Sequence, residues 1–278
     1  MDSFRHLCDA TARCLCRYEN VAGHAPVLAA ISGGVDSTAL LLVLAKLAAE
    51  GRLTGLLHAV HVDHGQRADS RDNASFVAAQ CERLDVPLAV RRLPPGPPAS
   101  EDALRQARYA ALQEVAREVG AGLLLTAHHA DDNLETVLFR MLRGTGPRGL
   151  AGIPEARWLG RGEQRLLLVR PFLRARRATL AALLQTLGEA AFEDSTNHEL
   201  RYARNRLRHE TIPRLRQSLG LGLDVALMTV ASTARAANEI VEAQGLRILS
   251  HCARHKTAWR CELDLRTIDG DALPFVQE

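Results

Sequence analysis

The 278 residues contain 47% hydrophobic and 24% charged side chains, a balance that excludes a disordered or fibrous chain. Residues 1–24 interrupt their apolar positions with Arg, Asp and His too often for a signal-peptide core, and no stretch approaches the length of a membrane span. We therefore expect a cytoplasmic protein without membrane association. The length allows one large domain with a smaller appendage.

The net charge of +3 is unevenly distributed along the chain. From Arg140 to Arg216 there are sixteen arginines and seven acidic residues, which gives that segment +9 and leaves −6 for the remainder. This asymmetry favours contact with a polyanion, although scattered arginines also decorate solvated faces.

The first predicted elements are a strand over the apolar run Val27–Ser32 and a helix from Thr38 to Ala49. Further strands are predicted at Gly55–Val62, Pro87–Arg91, Leu123–Thr126 and Arg165–Val169. The helices between them are predicted at Ser70–Leu84, Glu101–Val119 and Asp131–Arg143. This alternation predicts an α/β fold with a doubly wound, parallel, five-stranded sheet that binds its ligands at the carboxyl ends of the strands.

After Val169 the pattern predicts helices at Ala175–Leu187 and Tyr202–Leu219. We therefore expect a first domain at residues 1–190 and a smaller helical region at residues 191–278. In that region the last helix is predicted to continue to about His255, and a strand is predicted at Trp259–Leu263.

A glycine-containing hexapeptide, Ser32–Ser37, lies between the first strand and its helix. Its glycines allow the backbone to approach an anion, and its hydroxyls, amides and helix terminus can all stabilise one. Because Lys46 is not followed by Ser or Thr, a Walker-type phosphate loop is excluded. A glycine turn followed by a helix cap is the alternative. The predicted ATP-binding residues are Ser32, Gly33, Gly34, Val35, Asp36 and Ser37.

Asp36 would repel a phosphate unless a cation lay between them, so its position in the hexapeptide predicts a Mg²⁺ site. Asp132 and Glu135 stand three residues apart on one face of a predicted helix. Two carboxylates near a phosphate site imply a cationic ligand, although helix capping explains either one alone.

Four histidines and one glycine-rich stretch each allow more than one interpretation. His61, His64 and the pair His128–His129 can contact a ligand or simply pack as hydrogen-bonded imidazoles. Adjacent histidines diverge, so no structural zinc site is predicted. Gly144–Gly149 satisfies G-x-G-x-x-G but follows a helix and contains Pro147, which argues against dinucleotide binding and for a flexible loop.

Several stretches in order resemble one known family. Ser32–Ser37 matches the PP-loop of ATP-pyrophosphatases, whose members cleave ATP between the α- and β-phosphates. His61–Arg67, Glu101 with Ala107–Tyr109, and His128–Thr136 resemble motifs of the tRNA(Ile)-lysidine synthetases within the N-type of that superfamily. The resemblance continues through Arg143–Gly144, Gly149–Ile153, Arg170–Leu173, Glu193–Asn197 and Arg204–Arg208, and covers roughly residues 27–216.

The resemblance implies ATP-dependent ligation of L-lysine to C2 of the wobble cytidine of tRNA(Ile) with a CAU anticodon. An adenylated cytidine is the implied intermediate, and AMP and pyrophosphate are released. The implied catalytic residues are Asp36, Arg108, Asp132 and Glu135, of which Asp132 and Glu135 bind lysine. Family members usually continue into a further carboxy-terminal domain that helps to hold tRNA, so residues 191–278 are expected to be a short version of the tRNA-contacting part.

Arg204, Arg206 and Arg208 are expected to contact tRNA. Residues spaced by two spread over about 200° of a helix, which suits a curved phosphate backbone but equally an ordinary solvated helix.

Three alternative functions remain. A PP-loop tRNA thiolase usually needs paired cysteines, and the six cysteines here include no C-x-x-C. NAD and GMP synthetases share the SGG-x-DS pattern but not the later motifs. A nucleotide- or tRNA-binding protein without catalysis is the remaining alternative, and the oligomeric state stays open.

Overall fold

The computed structural model describes residues 2–63, 70–93, 101–160, 162, 165–192, 206–220, 222–256 and 261–264. The chain divides into two compact units, Met1–Asn133 with Pro154–Glu199 and Leu134–Ile153 with Leu200–Glu278. The domain boundary expected near Ala190 stays a prediction.

The helices are α1 (Asp2–Cys16), α2 (Glu19–Ala22), α3 (Val35–Ala49), α4 (Ser70–Arg83), α5 (Glu101–Val119), α6 (Ala130–Leu142), α7 (Pro147–Leu150), α8 (Arg177–Leu187), α9 (Ile212–Leu219) and α10 (Gly222–Cys252). The strands are β1 (Val27–Ala30), β2 (Leu57–Asp63), β3 (Leu88–Arg92), β4 (Leu123–Leu125), β5 (Ala156–Leu159), β6 (Leu166–Val169), β7 (Ala253–Lys256) and β8 (Cys261–Leu263). A π-helical turn, Leu207–Thr211, precedes α9.

The first unit is built on a six-stranded sheet in the order β3-β2-β1-β4-β6-β5. Neighbouring strands pair in parallel from β3 to β6, and β5 pairs antiparallel with β6. The predicted α/β fold is confirmed, but the predicted number of five strands is wrong because β5 adds a sixth. As an edge strand with Trp158 exposed, β5 lacks the continuous apolar run that marks a central parallel strand.

Two apolar layers cover the two faces of this sheet. Successive residues of β1 alternate between them: Val27 and Ala29 join the layer that contains α3, whereas Leu28 joins the layer that contains residues of α5. Helix α3 is apolar on most of its surface, with Ala39, Leu40 and Leu41 fully buried. This double layer is the doubly wound arrangement that the sequence predicts.

The sheet reverses its winding between β1 and β4. β1 leads to Ser32, β4 leads to Thr126, and β6 leads to Arg170, so three adjacent strands deliver polar residues to one edge of the sheet. Such a reversal opens a crevice at the carboxyl ends of the strands, which is where open α/β sheets bind ligands.

The second unit is helical around its own core. Leu134, Val137 and Leu138 of α6 pack in this core with Leu207, Ile212, Leu227 and Ala231. Arg235 of α10 donates hydrogen bonds to the carbonyls of Ala151 (3.0 Å) and Ile153 (3.4 Å), which ties α10 to the segment after α7.

Three predictions for this unit need correction. The predicted Tyr202–Leu219 helix is a π-helical turn followed by α9, and its residues 202–205 lie outside the described residues. The last helix ends at Cys252 and not near His255, because β7 pairs antiparallel with β8 from Ala253 onward. Where a flexible loop was expected, Pro147–Leu150 forms the helical turn α7. The strand predicted to end at Leu263 is confirmed over Cys261–Leu263.

Among the described residues, no single helix combines the length and apolar composition of a membrane span. In the same part of the chain, one pair of helical stretches has that length and composition only when the two are counted together, with a bend of 108° between them: Leu207–Leu219 and Gly222–Cys252.

Candidate active site

The loop between β1 and α3 makes a turn that requires glycine at its second residue. Gly33 has a φ of +86°, and a methyl group on its Cα would lie 2.4 Å from Asn73 Oδ1 and 3.4 Å from Phe192 Cβ. The Gly33 carbonyl accepts hydrogen bonds from Phe192 N–H (2.9 Å) and Thr38 Oγ1 (3.1 Å). The backbone of the predicted ATP loop is therefore fixed by its neighbours.

Two serines hold the loop in shape. Ser37 Oγ accepts a hydrogen bond from Ser32 N–H (3.1 Å), donates one to the Gly34 carbonyl (3.0 Å) and lies 3.0 Å from Ser32 Oγ. Gly34 is the N-cap residue of α3, so the first amides of that helix lack intrahelical acceptors. The loop thus offers amide donors and the positive end of a helix dipole to an anion.

Asp36 stands in the first turn of α3 with one oxygen engaged and one unpaired. Its Oδ2 lies 3.5 Å from His129 Nε2 and 3.9 Å from Arg177 Nε. Its Oδ1 is buried and has no hydrogen-bond partner among the described residues. A buried acceptor without a partner is costly, and a carboxylate oxygen beside an anion cradle is what a hard cation such as Mg²⁺ binds.

The described part of the chain holds no cluster of three or more His, Cys, Asp or Glu side chains able to bind a metal by themselves. A cation at Asp36 would therefore take its other ligands from phosphate oxygens and water, which is the usual coordination of Mg²⁺ in nucleotide sites.

His129 and Asp132 cap the amino terminus of α6. The His129 backbone N–H donates to Asp132 Oδ2 (3.0 Å), and Asp132 N–H lies 3.3 Å from His129 Nδ1. The two residues form a capping box in which histidine takes the place of the usual Ser or Thr. The second contact is a hydrogen bond only while His129 is neutral, because a protonated Nδ1 cannot accept.

Three carboxylates surround the buried imidazole of His129. Burial lowers the pKa of His129, but the hydrogen bond to Asp36 and the charges of Asp132, Asp36 and Asp131 outweigh burial and raise it above its ordinary value. The charged form of His129 is therefore favoured by the same carboxylate, Asp36, that faces the anion cradle.

Asp131 is engaged on both oxygens. Its Oδ1 accepts a hydrogen bond from Arg176 Nη1 (3.1 Å) and its Oδ2 accepts one from Arg177 N–H (2.9 Å). Burial raises the pKa of Asp131, but the Arg177 amide and the nearby Arg176 guanidinium outweigh burial and lower it.

The pKa of His128 is shifted in the direction opposite to that of His129. Its Nδ1 lies 2.9 Å from Thr126 Oγ1. Burial, assisted by Arg170 and Arg108 and opposed by Asp132, lowers the pKa of His128 to about 3. The pKa values of two adjacent histidines are thus shifted in opposite directions.

Glu135 lies in the second unit and is paired with an arginine. Its side chain is only 4% exposed, and its two oxygens accept hydrogen bonds from Arg208 Nε (2.6 Å) and Nη2 (2.9 Å). The residue predicted to bind lysine and a residue predicted to bind tRNA therefore hold each other in this structure. Both roles stay predictions.

The remaining predicted residues fall in three groups. Arg206 is exposed at the start of the π-helical turn, whereas Arg204 and His64 lie outside the described residues. His61 is 3% exposed, and its Nδ1 lies 2.9 Å from the Ile31 carbonyl, so it is a packed, hydrogen-bonded imidazole. Arg108 lies on α5 with its guanidinium 5.6 Å from the ring centre of Tyr109.

The arginines around Tyr109 are a feature that sequence reasoning missed. Arg105 and Arg157 also lie over its ring, at 5.2 Å and 5.0 Å, and Arg170 is close enough to influence its charge. The sequence points only to Arg108, because it stands in the motif Ala107–Tyr109. Arg157 lies on the unpredicted strand β5, so no sequence pattern connects it to α5.

This fold, with a lysine-free glycine loop at a helix amino terminus directly after β1, is that of a PP-loop domain. The PP-loop domain family matches residues 9–215, and the chain belongs to that family. Membership of the family implies the use of ATP.

Curated relatives of this chain indicate which PP-loop proteins it resembles. The chain is 44% identical over 218 residues to the tRNA(Ile)-lysidine synthase of Pseudomonas fluorescens (strain Pf0-1), a match that covers 78% of this chain and 46% of the relative. It is 44% identical over 219 residues to the tRNA(Ile)-lysidine synthase of Salinispora arenicola (strain CNS-205), covering 76% of this chain and 61% of the relative. The chain thus spans about half the length of the curated relatives it matches.

Among solved structures, the U34-tRNA thiolase NcsA from Methanococcus maripaludis, determined with its [4Fe-4S] cluster, is similar in fold. The TM-score is 0.69 at 13% sequence identity, and the match covers 96% of this chain and 85% of the thiolase. At this identity the likeness concerns the fold alone.

Proposed function

We propose that this protein ligates L-lysine to C2 of the wobble cytidine of tRNA(Ile) with a CAU anticodon, using ATP and releasing AMP and pyrophosphate. The observation that carries the proposal is the lysine-free anion cradle Ser32–Ser37, with the unpaired Asp36 oxygen beside it, in a chain 44% identical to tRNA(Ile)-lysidine synthases. The cradle supports the chemistry with ATP, and the relatives support the substrates.

In the proposed first step, the C2 oxygen of the cytidine attacks the α-phosphorus of ATP. A bond forms between that oxygen and phosphorus, and the bond from phosphorus to the bridging oxygen of pyrophosphate breaks. The amides and hydroxyls of Ser32–Ser37 hold the departing pyrophosphate. Mg²⁺, held by Asp36, would offset the charge of the polyphosphate. Positioning and charge stabilisation supply the catalysis, as in other phosphoryl-type transfers.

In the proposed second step, the ε-ammonium of lysine gives a proton to solvent, and the neutral amine attacks C2. The C2–O bond then breaks to release AMP, and the new C2–N group loses its extra proton to solvent. Asp132 and Glu135 are the proposed lysine-binding residues, because a partly buried and a buried carboxylate on one helix favour a cationic amine. Glu135 is paired with Arg208, so lysine binding there requires the guanidinium to share or release the carboxylate.

tRNA is the proposed macromolecular partner, and Arg204, Arg206 and Arg208 are proposed to contact its backbone. An anticodon loop presents its bases unpaired, so the target cytidine is reached without opening a duplex. Such a substrate places the proposed reaction in the cytoplasm. The thiolase alternative gains no support, because the curated relatives reported above are tRNA(Ile)-lysidine synthases. The solved thiolase matches in fold alone.

Incorporation of radiolabelled lysine into defined tRNA transcripts tests the substrate assignment. We expect lysine to enter tRNA(Ile) with a CAU anticodon and not the same transcript with a GAU anticodon, which lacks the wobble cytidine. Release of ADP in place of AMP, or no incorporation into the CAU transcript, would sink the proposal.

A further inference from the structure

Four guanidinium groups converge on one tyrosine at the carboxyl edge of the first unit's sheet. Arg105 and Arg108 reach Tyr109 from α5, and Arg157 reaches it from β5, with guanidinium carbons 5.0–5.6 Å from the ring centre. Arg170, at the end of β6, is 2% exposed and donates a hydrogen bond from Nη1 to the Pro154 carbonyl. We call these four residues the arginine cluster.

The arginine cluster lacks a compensating negative charge. Within the described residues, none of its members forms a salt bridge with a carboxylate. The carboxylate that precedes β5, Glu155, is committed to Arg17 (2.6 Å) and Tyr18 (2.9 Å). An arginine cannot escape burial by losing its proton, and the ring of Tyr109 offers a quadrupole but no net charge.

Several polar atoms of the cluster are also unused. The Nε–H groups of Arg108, Arg157 and Arg170 are buried without hydrogen-bond partners in the described part of the chain. Buried polar groups are nearly always hydrogen-bonded, and a buried unpaired charge is strongly unfavourable. Four guanidiniums without a carboxylate partner, three of them with an unused Nε–H donor, are the residue set of an anion-binding site.

The position and exposure of the cluster suit a ligand. β6 lies next to β4 in the sheet, so Arg170 stands at the carboxyl edge where such sheets bind ligands. Exposure rises outward through the cluster: Arg170 is buried, Arg108 and Arg157 are half-buried, and Arg105 is exposed. An anion can therefore enter from solvent.

We propose that the arginine cluster is a phosphate-binding site separate from the residues of the Ser32–Ser37 cradle. Phosphate is the ligand chemistry that planar guanidinium forks match, through paired charge-assisted hydrogen bonds. The phosphate belongs either to a nucleotide or to an RNA backbone. The inference concerns binding and stands independently of lysine ligation.

The test removes two of the more accessible guanidiniums together, in the variant Arg105→Gln/Arg157→Gln. Arg165→Gln is the matched control, because Arg165 also stacks on an aromatic ring, 4.1 Å from Trp158, beside the same pair of strands. Dissociation constants are measured by calorimetry for two probes: AMP, and a seven-nucleotide single-stranded RNA without terminal phosphates.

The double variant is expected to raise the dissociation constant of one probe by about tenfold or more relative to Arg165→Gln. The loss of a single charge-assisted hydrogen bond already corresponds to that factor. Loss with AMP alone identifies a nucleotide phosphate. Loss with RNA, together with a salt dependence shallower by about 0.7 per lost phosphate contact, identifies a backbone phosphate. Unchanged binding of both probes overturns the proposal.

Thermal unfolding separates a binding role from a structural one. Removing two like charges that repel each other should leave the double variant at least as stable as the Arg165→Gln control, since binding sites are often built at the expense of stability. A melting temperature well below that of the control, with probe affinity unchanged, would show that the arginines serve packing and would overturn the inference.

Discussion

At Gly33 the backbone itself shapes the site. The residue combines a φ of +86° with a neighbour, Asn73 Oδ1, that leaves 2.4 Å for a methyl group. Gly51 has a comparable φ of +64° but nothing within 4 Å. The two glycines therefore separate the cost of the backbone conformation from the cost of a steric clash.

Gly33→Ala is expected to lower the free energy of unfolding clearly more than Gly51→Ala. The latter should cost about 1–2 kcal/mol from the left-handed conformation alone. Urea denaturation measures both, and ATP affinity should fall only for Gly33→Ala because the cradle must shift. Equal losses of stability in the two variants would contradict the structure at this turn.

The adjacent histidines His128 and His129 should give opposite pH dependences of stability. The folded-state pKa of His128 is lowered to about 3, so its neutral form stabilises the fold above about 6.5 and this stabilisation is lost as the pH falls. The folded-state pKa of His129 is raised, so its stabilisation is fully present below about 6.5 and is lost as the pH rises through the higher pKa.

Chemical denaturation across pH, with a chelator present, checks both histidines. Relative to the parent protein, His128→Gln should flatten the loss of stability below about pH 6.5, and His129→Gln should flatten the loss above it. Identical profiles for the two variants would mean that burial acts alike on both rings and that the carboxylates around His129 do not outweigh it.

At the scale of elements, α6 carries the two carboxylates predicted to bind lysine. The sequence predicts this helix well, because its apolar residues recur with helical spacing and Asp131 and Asp132 mark its first turn. It also allows for Asp132 as a cap, which the structure shows, but it does not predict that Glu135 pairs with Arg208. The second contact joins residues 73 positions apart in the chain, and no local pattern encodes it.

Glu135→Gln is expected to raise the KM for lysine by about tenfold or more, because the variant keeps the size of the side chain but loses the charge that attracts an ammonium group. The measurement is the lysine dependence of AMP release with tRNA present. Arg208→Gln is the matched change on the other partner, and it should leave the lysine KM unchanged or lower it by freeing Glu135. An unchanged KM in Glu135→Gln would remove this residue from the proposed lysine site.

The elements that sequence reasoning missed share a physical cause. Helix α1 precedes the alternating pattern, and the residue that follows it, Arg17, pairs with the distant Glu155. Strand β5 is an exposed edge whose partner, β6, defines its register. The central strands and helices were predicted because burial on both sides of a parallel sheet leaves continuous apolar runs, which an edge or a terminal helix does not need.

For the whole molecule, the sequence locates the anion cradle but not its surroundings. Ser32–Ser37 forms from consecutive residues, so its glycines and hydroxyls reveal it directly. The arginine cluster draws on α5, β5 and the end of β6, and only folding brings its residues together. A site built from consecutive residues can therefore be predicted from the sequence, whereas a cluster of charges from distant residues cannot.

We propose that this protein uses ATP to adenylate a tRNA cytidine, and label transfer from [α-³²P]ATP tests this proposal most directly. With tRNA(Ile) bearing a CAU anticodon and no lysine, the parent protein should place labelled AMP on the tRNA, and adding lysine should release it. Asp36→Asn should transfer no label while keeping the folded state. Label transfer by Asp36→Asn at the parental rate, or no label on tRNA with the parent protein, would contradict the account.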